Sequence, residues 1–438
     1  MGTAESQTDT ITKLKRIAWL SSRDKARQFD CVMHHFNESS LEDCFHQQDG
    51  KKAVGMDGVT KMQYAKHLNQ NLKSLILRMR RMAYRPGAVR KVLIPKEGSP
   101  GKTRPLGISN FEDKLVQKMT QRVLESIYDP VFLDCSYGFR PGRSCHDAIK
   151  ALHQYLFGHK VSMVIDIDLK SYFDTIDHQL LEDMLRNKIN DERFMRYINR
   201  MFRAGVLSEG ELSVSEEGVP QGSICSPILS NIFAHYVIDE WFQDVVKQCC
   251  RGEVELFRYC DDAVIACQYE GDAQRIVHAL AKRLAKYKLQ LNEDKTRCVR
   301  FSQREVSQGV RQETFDFLGF TFYLGRSRKG HYIPMVKSSG KRLRVKLKRV
   351  SEWARGARHK YKSMELWRIF CAKLRGHIQY YGVSFNMRYV TRFLEAAKRI
   401  LFKWLNRRSD RRSFNWEQFN LFLQANPLPV AKVHHALF

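Results

Sequence analysis

The fold is decided by the stretch Phe257-Arg258-Tyr259-Cys260-Asp261-Asp262-Ala263-Val264-Ile265-Ala266. Its two apolar arms are rich in aromatic and β-branched residues, as strands are, and they meet at adjacent carboxylates that can bond a turn backbone. The stretch therefore predicts a β-hairpin with Asp261 and Asp262 at its tip. By itself an Asp-Asp pair is usually just a solvated turn, so a second acidic element is needed to indicate chemistry.

A second acidic element follows an apolar strand between Val161 and Asp174. Strand alternation puts Asp166 and Asp168 on one face. Carboxylates at a strand end and at a hairpin tip can converge on a divalent cation such as Mg²⁺, which prefers oxygen ligands. Two ions about 4 Å apart would hold the oxygens of an in-line phosphoryl displacement. Together the two stretches predict nucleotidyl transfer.

Composition favours a polyanionic partner. The 438 residues include 74 Lys or Arg against 47 Asp or Glu, which gives a formal charge of +27. An excess of this size across a whole chain is typical of nucleic-acid-binding proteins. The length suggests roughly two to four domains, and 43% hydrophobic residues is ordinary for a globular protein.

The same composition argues against several other classes. No apolar run of about 18 residues is present to span a membrane, and the first residues lack a signal-peptide pattern, so we expect a cytoplasmic protein with no membrane partner. The eleven cysteines include no Cys-x-x-Cys pair, which argues against zinc and indicates reduced, mostly buried thiols.

Several motifs occur in a fixed order along the chain. They are Ile94-Pro95-Lys96, Arg104-Pro105-Leu106-Gly107-Ile108, Tyr137-Gly138-Phe139-Arg140-Pro141-Gly142-Arg143-Ser144, Asp168-Leu169-Lys170-Ser171-Tyr172-Phe173-Asp174, Gly218-Val219-Pro220-Gln221-Gly222-Ser223 with Ser226-Pro227, and Tyr259-Cys260-Asp261-Asp262. In this order they resemble the reverse transcriptases, and most closely the proteins encoded by bacterial group II introns. The matches cover nearly the whole chain from about Lys52 onward.

The resemblance implies an α+β fold of the right-hand polymerase type. It places an N-terminal helical extension at 1–50, fingers and palm with an antiparallel sheet at 51–325, and a basic all-α thumb/maturase domain at 326–438. Within the extension we expect Trp19 and Leu20 to be buried. We also expect one helix over His178 to Phe202 and a strand-turn-strand over 205–219 with Gly210 at the bend.

The start of the last region is marked by a change in composition. Between Gly325 and Lys360 there are 13 Lys or Arg and one acid, Glu352. A helix with Leu343 and Leu347 on its apolar face and cations elsewhere would suit the minor groove of a template duplex. Two further amphipathic helices follow, and no His-Asn-His nuclease motif is found after them, so an endonuclease domain is expected to be absent.

By resemblance, the metal ligands are Asp168, Asp261, Asp262 and the main chain of Ile167, holding two Mg²⁺ ions, with Mn²⁺ as the alternative. Asp166 shares a face with Asp168 and competes for its role, although the spacing from Asp168 to Phe173 matches the family. Lys295 corresponds to a family position near the departing pyrophosphate, where a lysine can act as a general acid.

The resemblance also implies two sets of binding residues. Contacts to the incoming deoxynucleoside triphosphate fall to Lys96, Arg104, Phe173 and Gln221, with Lys102 as a third cation. The Phe173 ring would leave no room for a 2′-hydroxyl, unless it packs in the core, as one of Tyr172 and Phe173 should. Template and primer contacts fall to Arg140, Arg143, Tyr259, Cys260, Gly319, Lys341 and Arg344.

These features predict an RNA-directed DNA polymerase that uses an RNA template, a DNA primer and deoxynucleoside triphosphates, and that also binds group II intron RNA to assist splicing and mobility. Two alternatives stay open. One is an RNA-binding splicing maturase with weak polymerase activity. The other is a host-adopted enzyme of repair, defence or a CRISPR system, because Cys260 stands where the intron family usually has Ala. The sequence leaves the oligomeric state open.

Overall fold

The computed structural model describes residues 2–95, 101, 103–204, 206–208, 211–213, 217–218, 222–407 and 415–438. Three residues predicted to bind nucleotide, Lys96, Lys102 and Gln221, lie outside these ranges, as does the predicted bend at Gly210.

The described chain combines helices and strands. The helices are α1 Gly2–Arg23, α2 Glu38–Gln47, α3 Lys61–Ala65, α4 Leu68–Arg80, α5 Phe111–Tyr128, α6 Cys145–Gly158, α7 His178–Arg186, α8 Glu192–Phe202, α9 Ser226–Ala234, α10 Lys247–Cys249, α11 Glu270–Lys286, α12 Gln303–Ser307, α13 Gly340–Ala357, α14 Ser363–Tyr381, α15 Met387–Leu405 and α16 Trp416–Ala425. The strands are β1 Val89–Pro95, β2 Thr103–Ile108, β3 Met163–Ile167, β4 Val206–Ser208, β5 Glu211–Ser213, β6 Val254–Tyr259, β7 Asp262–Cys267, β8 Arg297–Arg300, β9 Phe315–Phe317, β10 Phe320–Arg326 and β11 Tyr332–Ser338. Two 3₁₀ segments, Met33–His35 and Tyr172–Asp174, and two π-helical segments, His235–Asp239 and Phe242–Val246, complete the description.

The central sheet carries the acidic stretches. Its order is β6-β7-β3-β8, with every neighbouring pair antiparallel. The hairpin β6–β7 closes at the pair Tyr259↔Asp262, which confirms the predicted hairpin. Because Ile167 pairs with Ala263, the end of β3 lies beside the hairpin tip.

The two faces of this sheet pack against different apolar cores. Ile165 and Ile265 belong to a core shared with the helices before and after β3, including α5 and α9. Val164 and Val264 belong to a second core, which includes α6, β10 and α14. Because successive side chains along each strand point to opposite faces, this one sheet packs against both cores.

A second sheet has the order β2-β1-β4-β5. The antiparallel pair β1–β2 is the hairpin that carries Arg104, and β4–β5 confirms the strand-turn-strand expected over 205–219. The third sheet, β11-β10-β9, corrects the predicted start of the helical region. The expectation of an all-α segment from 326 is wrong, since β10 and β11 pair across that position and α13 begins only at Gly340.

Two helical predictions also need correction. The single helix expected over His178 to Phe202 is two helices, because Asp191 accepts hydrogen bonds from the backbone N–H groups of Arg193 and Phe194 and so caps a new helix. In α1 the inward face carries Leu14 and Ile17, whereas Trp19 is 57% exposed, so its predicted burial is wrong.

All eleven cysteines are free thiols, but only five are buried and Cys31, Cys249 and Cys298 are exposed, so the expectation that most are buried is wrong. Among the residues that the structure describes, no helix combines the length and the apolar character needed to cross a membrane.

Candidate active site

One cavity of about 410 Å³ collects carboxylates from separate elements. Asp166 and Asp168 reach it from β3 and the residues directly after it, Asp262 from the start of β7, and Asp316 from β9. The main chain of β3 also contributes, because Ile167 lines the same space. The cavity therefore brings together the two acidic stretches that the sequence predicts to converge.

Asp168 is held by a turn between α11 and β8. Its Oδ1 accepts hydrogen bonds from Asn292 Nδ2 at 2.9 Å and from Lys295 Nζ at 3.1 Å, and Lys295 also lies 3.2 Å from Oδ2. The backbone N–H of Asn292 donates to the Asp168 carbonyl at 2.8 Å. The predicted general acid, Lys295, is thus in direct contact with a predicted metal ligand.

The hairpin tip is a two-residue turn formed by Cys260 and Asp261. Cys260 has a φ of 61°, a left-handed conformation that is unfavourable for a residue with a side chain. Next to it, Gly138 lies so close that an added Cβ would be 2.5 Å from the Cys260 nitrogen. The turn is therefore fixed from outside as well as by its own strands.

Desolvation and repulsion act on the hairpin carboxylates. Surrounding protein atoms desolvate the Asp262 carboxyl even though it opens onto the cavity. This desolvation, together with the negative charges of Asp261, Asp166 and Asp168, raises the pKa of Asp262 to about 6. The Arg342 guanidinium opposes that rise. Burial also raises the pKa of Asp261, and the positive charge of Arg104 partly offsets it.

Asp166 remains an alternative to Asp168. Burial raises the pKa of its carboxyl, while Arg297 Nη2, 3.3 Å from Oδ2, opposes the change. Asp166 is the penultimate residue of β3 and Asp168 directly follows the strand, and both carboxylates line the cavity.

The donor set suits a hard divalent cation, because the acids in the cavity offer oxygen ligands and repel one another without one. Within the described ranges no three His, Cys, Asp or Glu side chains are grouped closely enough to ligate a single ion. Mg²⁺ commonly takes only one or two protein carboxylates and completes its shell with water and substrate phosphates, so the residues present fit that ion.

Two predicted nucleotide contacts are described. Arg104 is exposed on β2, and its charge acts on Asp261. Phe173 is half-buried in the 3₁₀ segment after β3, whereas Tyr172 is buried and donates to the Ser230 carbonyl at 2.6 Å. The expectation that one of these two rings packs in the core is confirmed, and Tyr172 is that ring.

The predicted primer residues border the cavity. Gly319 has a φ of 85° and follows Leu318 at 48°, so the turn between β9 and β10 has two left-handed residues. Tyr380 Oη donates to the Leu318 carbonyl at 2.8 Å, which ties this turn to α14. From the first turn of α13, Lys341 lines the cavity, and Arg344 is exposed one turn further on.

Four further predicted template or primer residues lie near the hairpin. The Arg140 guanidinium is buried and donates to Asp129, Leu133 and Ser136. Arg143 is half-buried and pairs with Asp134. Tyr259 is half-buried with its ring 6.1 Å from that of Phe139, and the Cys260 thiol is buried. The internal contacts of the two arginines account for much of their donor capacity, and their predicted template contacts stay predictions.

Comparison with known proteins decides the family. A family model described as reverse transcriptase (RNA-dependent DNA polymerase) matches residues 94–322, which include the β6–β7 hairpin and β3. The chain belongs to the reverse transcriptase family. That assignment confirms the resemblance stated from the ordered motifs.

Relatives of this reverse transcriptase include proteins of group II introns. It is 40% identical over 166 residues to the group II intron-encoded protein LtrA of Lactococcus lactis, covering 38% of this chain and 27% of LtrA. It is 34% identical over 313 residues to protein YkfC of Escherichia coli, covering 64% of this chain and 78% of YkfC. Nuclear intron maturase 2 of Arabidopsis thaliana is 27% identical over 203 residues, 38% of this chain and 26% of the maturase. The chain thus spans about a quarter of LtrA and of the maturase.

Sequence reasoning missed three residues of this reverse transcriptase site. Asn292 bonds Asp168, Arg342 faces Asp262, and Asp316 accepts hydrogen bonds from Ser339 Oγ at 2.9 Å and from Thr321. Asn292 stands in the same turn as Lys295, and Arg342 stands beside Lys341. Closeness in sequence to a predicted site residue could therefore have identified both. The sequence offered no such indication for Asp316, because a lone acid in a short strand has no periodic partner.

Proposed function

We propose that this reverse transcriptase is an RNA-directed DNA polymerase of the group II intron type, which adds deoxynucleotides to a DNA primer on an RNA template. The observation that carries the proposal is the convergence of Asp168 and Asp262 in one cavity, beside the turn at Gly319 and the basic start of α13. A protein that only bound RNA would have no need for mutually repelling carboxylates gathered in one cavity.

The three sheets and the helices after them are the basis for assigning the polymerase subdomains. We assign the fingers and palm to the chain from 51 through the β10–β11 hairpin and the thumb/maturase region to the helices that begin at Gly340, after an extension at 1–50. Within this arrangement the β1–β2 hairpin would act as fingers and the central sheet as palm. Helices α13 to α15 would act as the thumb, with the β10–β11 hairpin joining palm to thumb.

The residues proposed to hold two divalent ions are Asp168, Asp261, Asp262 and the Ile167 carbonyl. When bound there, Mg²⁺ or Mn²⁺ supplies neutralisation of phosphate charge and lowers the pKa of a coordinated hydroxyl. The protein's own part is to bring Asp168 and Asp262 to one cavity, with Asp261 in the adjoining turn. Asn292 orients Asp168, and Arg342 favours the ionised form of Asp262.

The incoming deoxynucleotide is assigned to the side of the cavity near Arg104. Arg104 would bind phosphate through its guanidinium fork, with Lys96 and Gln221 as further contacts. Phe173, being half-buried, is held well enough to exclude a 2′-hydroxyl while keeping a face open. Lys295 would leave Asp168 and protonate the departing pyrophosphate.

Template and primer are assigned to the part of the cavity that Gly319 and Lys341 line, where these two residues would contact the primer end. Arg344, Arg143 and Tyr259 would contact the nucleic acid around it. Arg140 and Cys260, whose side chains are buried, would act by shaping the loop and the turn beside it. Such contacts are largely to phosphate, so binding should weaken steeply with salt.

The experiment is primer extension on an RNA template with Mg²⁺ and deoxynucleotides, comparing the unaltered protein with an Asp261→Asn, Asp262→Asn double variant. We expect extension only by the unaltered protein, with equal binding of the template–primer duplex by both. If both bind the duplex and neither extends the primer, the polymerase function is refuted.

A second function, binding of intron RNA to assist splicing, is favoured by a basic aromatic cluster on the helical region. Arg358, Lys403 and Arg407 place their charges 5.0, 5.8 and 5.4 Å from the centre of the Trp404 ring. Guanidinium groups gathered around an aromatic ring are suited to phosphates and unstacked bases.

This second function predicts that Arg358→Gln with Arg407→Gln weakens binding of a folded group II intron RNA while extension on a short unstructured template continues. The matched control is Arg186→Gln, which removes a surface arginine paired with Glu182 and Glu192. Equal intron-RNA binding by the double variant and the control would argue against the assignment.

A further inference from the structure

Arg258 is among the largest fully buried side chains described, with 1% of its surface exposed, and it stands two residues before the hairpin tip. A guanidinium has five N–H donors, and each has an acceptor here. Nε donates to Asp239 Oδ1 at 2.7 Å and Nη2 to Asp239 Oδ2 and to Ser136 Oγ at 2.8 Å. Nη1 donates at 3.0 Å both to Asn231 Oδ1 and to the Cys260 carbonyl.

The partners of Arg258 come from three separate parts of the chain. Asn231 lies in α9, Asp239 in the π-helical segment after it, and Ser136 in the loop before α6. Asn231 also donates from Nδ2 to the Gly138 carbonyl at 2.6 Å. We call Arg258, Asp239, Asn231 and Ser136 the buried network.

The buried network acts directly on the strained turn. The Cys260 carbonyl it binds belongs to the left-handed residue, and Gly138, which it also holds, packs on the Cys260 nitrogen. A left-handed conformation in a residue other than glycine persists only where its surroundings over-determine it. Asp261 and Asp262 directly follow, so their positions depend on that turn.

Stability alone is a weak explanation for this arrangement. A buried ion pair is costly to desolvate, and well-packed apolar residues of similar volume usually serve stability as well or better. What apolar residues cannot provide is a directed hydrogen bond to a particular carbonyl. The buried network is therefore better explained by the positioning of the turn at Cys260 and Asp261.

We propose that Arg258 and Asp239 are positioning residues for the carboxylates of Asp261 and Asp262, acting through the Cys260 carbonyl. This inference deepens the proposed polymerase function and rests on it for its effect on rate. It also makes a claim about metal affinity that can be measured without polymerisation.

The decisive variant is Arg258→Met with Asp239→Leu, which removes both charges and leaves neither unpaired. Its matched control is Arg78→Met with Glu112→Gln, which removes an ion pair that joins α4 to α5 rather than the hairpin. Four quantities are compared with the unaltered protein: unfolding temperature, affinity for a template–primer duplex, single-turnover extension rate, and Mn²⁺ affinity from the signal of free Mn²⁺.

A positioning role predicts an unfolding temperature and duplex affinity close to those of the control. The extension rate should fall about 100-fold, as expected for a small misplacement of reacting groups. Mn²⁺ affinity should fall at least about tenfold, as when residues that orient metal ligands are replaced. A folded double variant that keeps both the rate and the Mn²⁺ affinity of the unaltered protein overturns the inference.

Two other results are also decisive. If the unaltered protein does not extend a primer, the polymerase function fails, while a loss of Mn²⁺ affinity in the double variant still supports the positioning role. If the double variant does not fold, Arg258→Lys replaces it, since lysine keeps the charge but lacks the fork that reaches Cys260. If Arg258→Lys also fails to fold, or folds with unchanged Mn²⁺ affinity, the positioning role is withdrawn.

Discussion

The two sides of the cavity hold their carboxylates in different ways. Asp262 follows a turn that is fixed by a fully buried network, and its neighbours are mostly other acids. Asp168 has 36% of its side chain exposed and is held by Asn292 and by Lys295, whose own side chain is 58% exposed.

This difference suggests a division of work. The hairpin side provides a fixed, repulsive site that favours a cation, whereas the β3 side provides a carboxylate whose lysine partner can leave when a substrate arrives. Replacing a carboxylate on the hairpin side should therefore lower activity and raise stability. Replacing a residue that holds the carboxylate on the β3 side should lower both.

The largest expected effect belongs to Asp262→Asn, which should reduce the extension rate by about 10³-fold or more. The same change should raise stability. Because folding raises the pKa of Asp262 from the usual 3.8 to about 6, the destabilisation of the folded protein by its ionised form begins near pH 4 and is complete above about pH 6. At about pH 4 the carboxyl is protonated in the folded state and about half protonated in the unfolded state, so the gain should fall there to a small remainder.

The measurement is thermal unfolding of Asp262→Asn and of the unaltered protein at pH 8 and at pH 4. A variant that is inactive but no more stable at pH 8 would contradict the repulsive character given to the hairpin side.

Lys295→Met should come next, with a rate about 100-fold lower, because the variant loses a general acid. Single-turnover incorporation measures this, with Lys247→Met as the control, since Lys247 pairs with Glu255 outside the cavity. A rate that is equal in the two variants would remove Lys295 from the mechanism.

Asn292→Ala should slow extension about tenfold, since it removes the amide that orients Asp168. The control is Asn190→Ala, because Asn190 also donates from Nδ2 to an aspartate, Asp30, at 2.9 Å. Each variant should lose about 1 kcal/mol of stability at most. If both slow extension equally, the effect comes from stability and the orienting role of Asn292 is wrong.

Arg342→Gln should have the smallest effect, and only at low pH. Its charge lowers the pKa of Asp262, so its removal should raise that pKa and move the acid limb of the rate profile upward. We expect a rate loss of several-fold at about pH 6.5 and little at about pH 8.5. Lys348→Gln on the same helix is the control, and identical pH profiles for the two variants would exclude the contact.

The sequence predicted the hairpin from two aromatic and β-branched arms that meet at adjacent carboxylates, and the acidic strand from alternation over a few residues. Their convergence was predicted from carboxylates at a strand end and at a hairpin tip, and the ordered family motifs agreed with it. The failures have local causes too. Trp19 was assigned to the core although Leu14 and Ile17 define the inward face of α1, and the domain boundary followed the first basic residues, which begin inside the β10–β11 hairpin.

The buried network was beyond sequence reasoning. Arg258 stands in an apolar strand, where a lone arginine gives no indication of its partners. Those partners, Asp239, Asn231 and Ser136, lie 19, 27 and 122 residues away. Only the packing of α9 and the loop before α6 against the hairpin brings them together.

The most direct test of the central claim is single-turnover addition of one deoxynucleotide to a DNA primer on an RNA template by Asp166→Asn, Asp168→Asn and the unaltered protein, at equal duplex occupancy. We expect Asp168→Asn to lose about 10³-fold in rate or more, while Asp166→Asn stays within about tenfold. Full activity in Asp168→Asn, or loss only in Asp166→Asn, would contradict the assignment of Asp168 as the β3 carboxylate that joins the hairpin pair in catalysis.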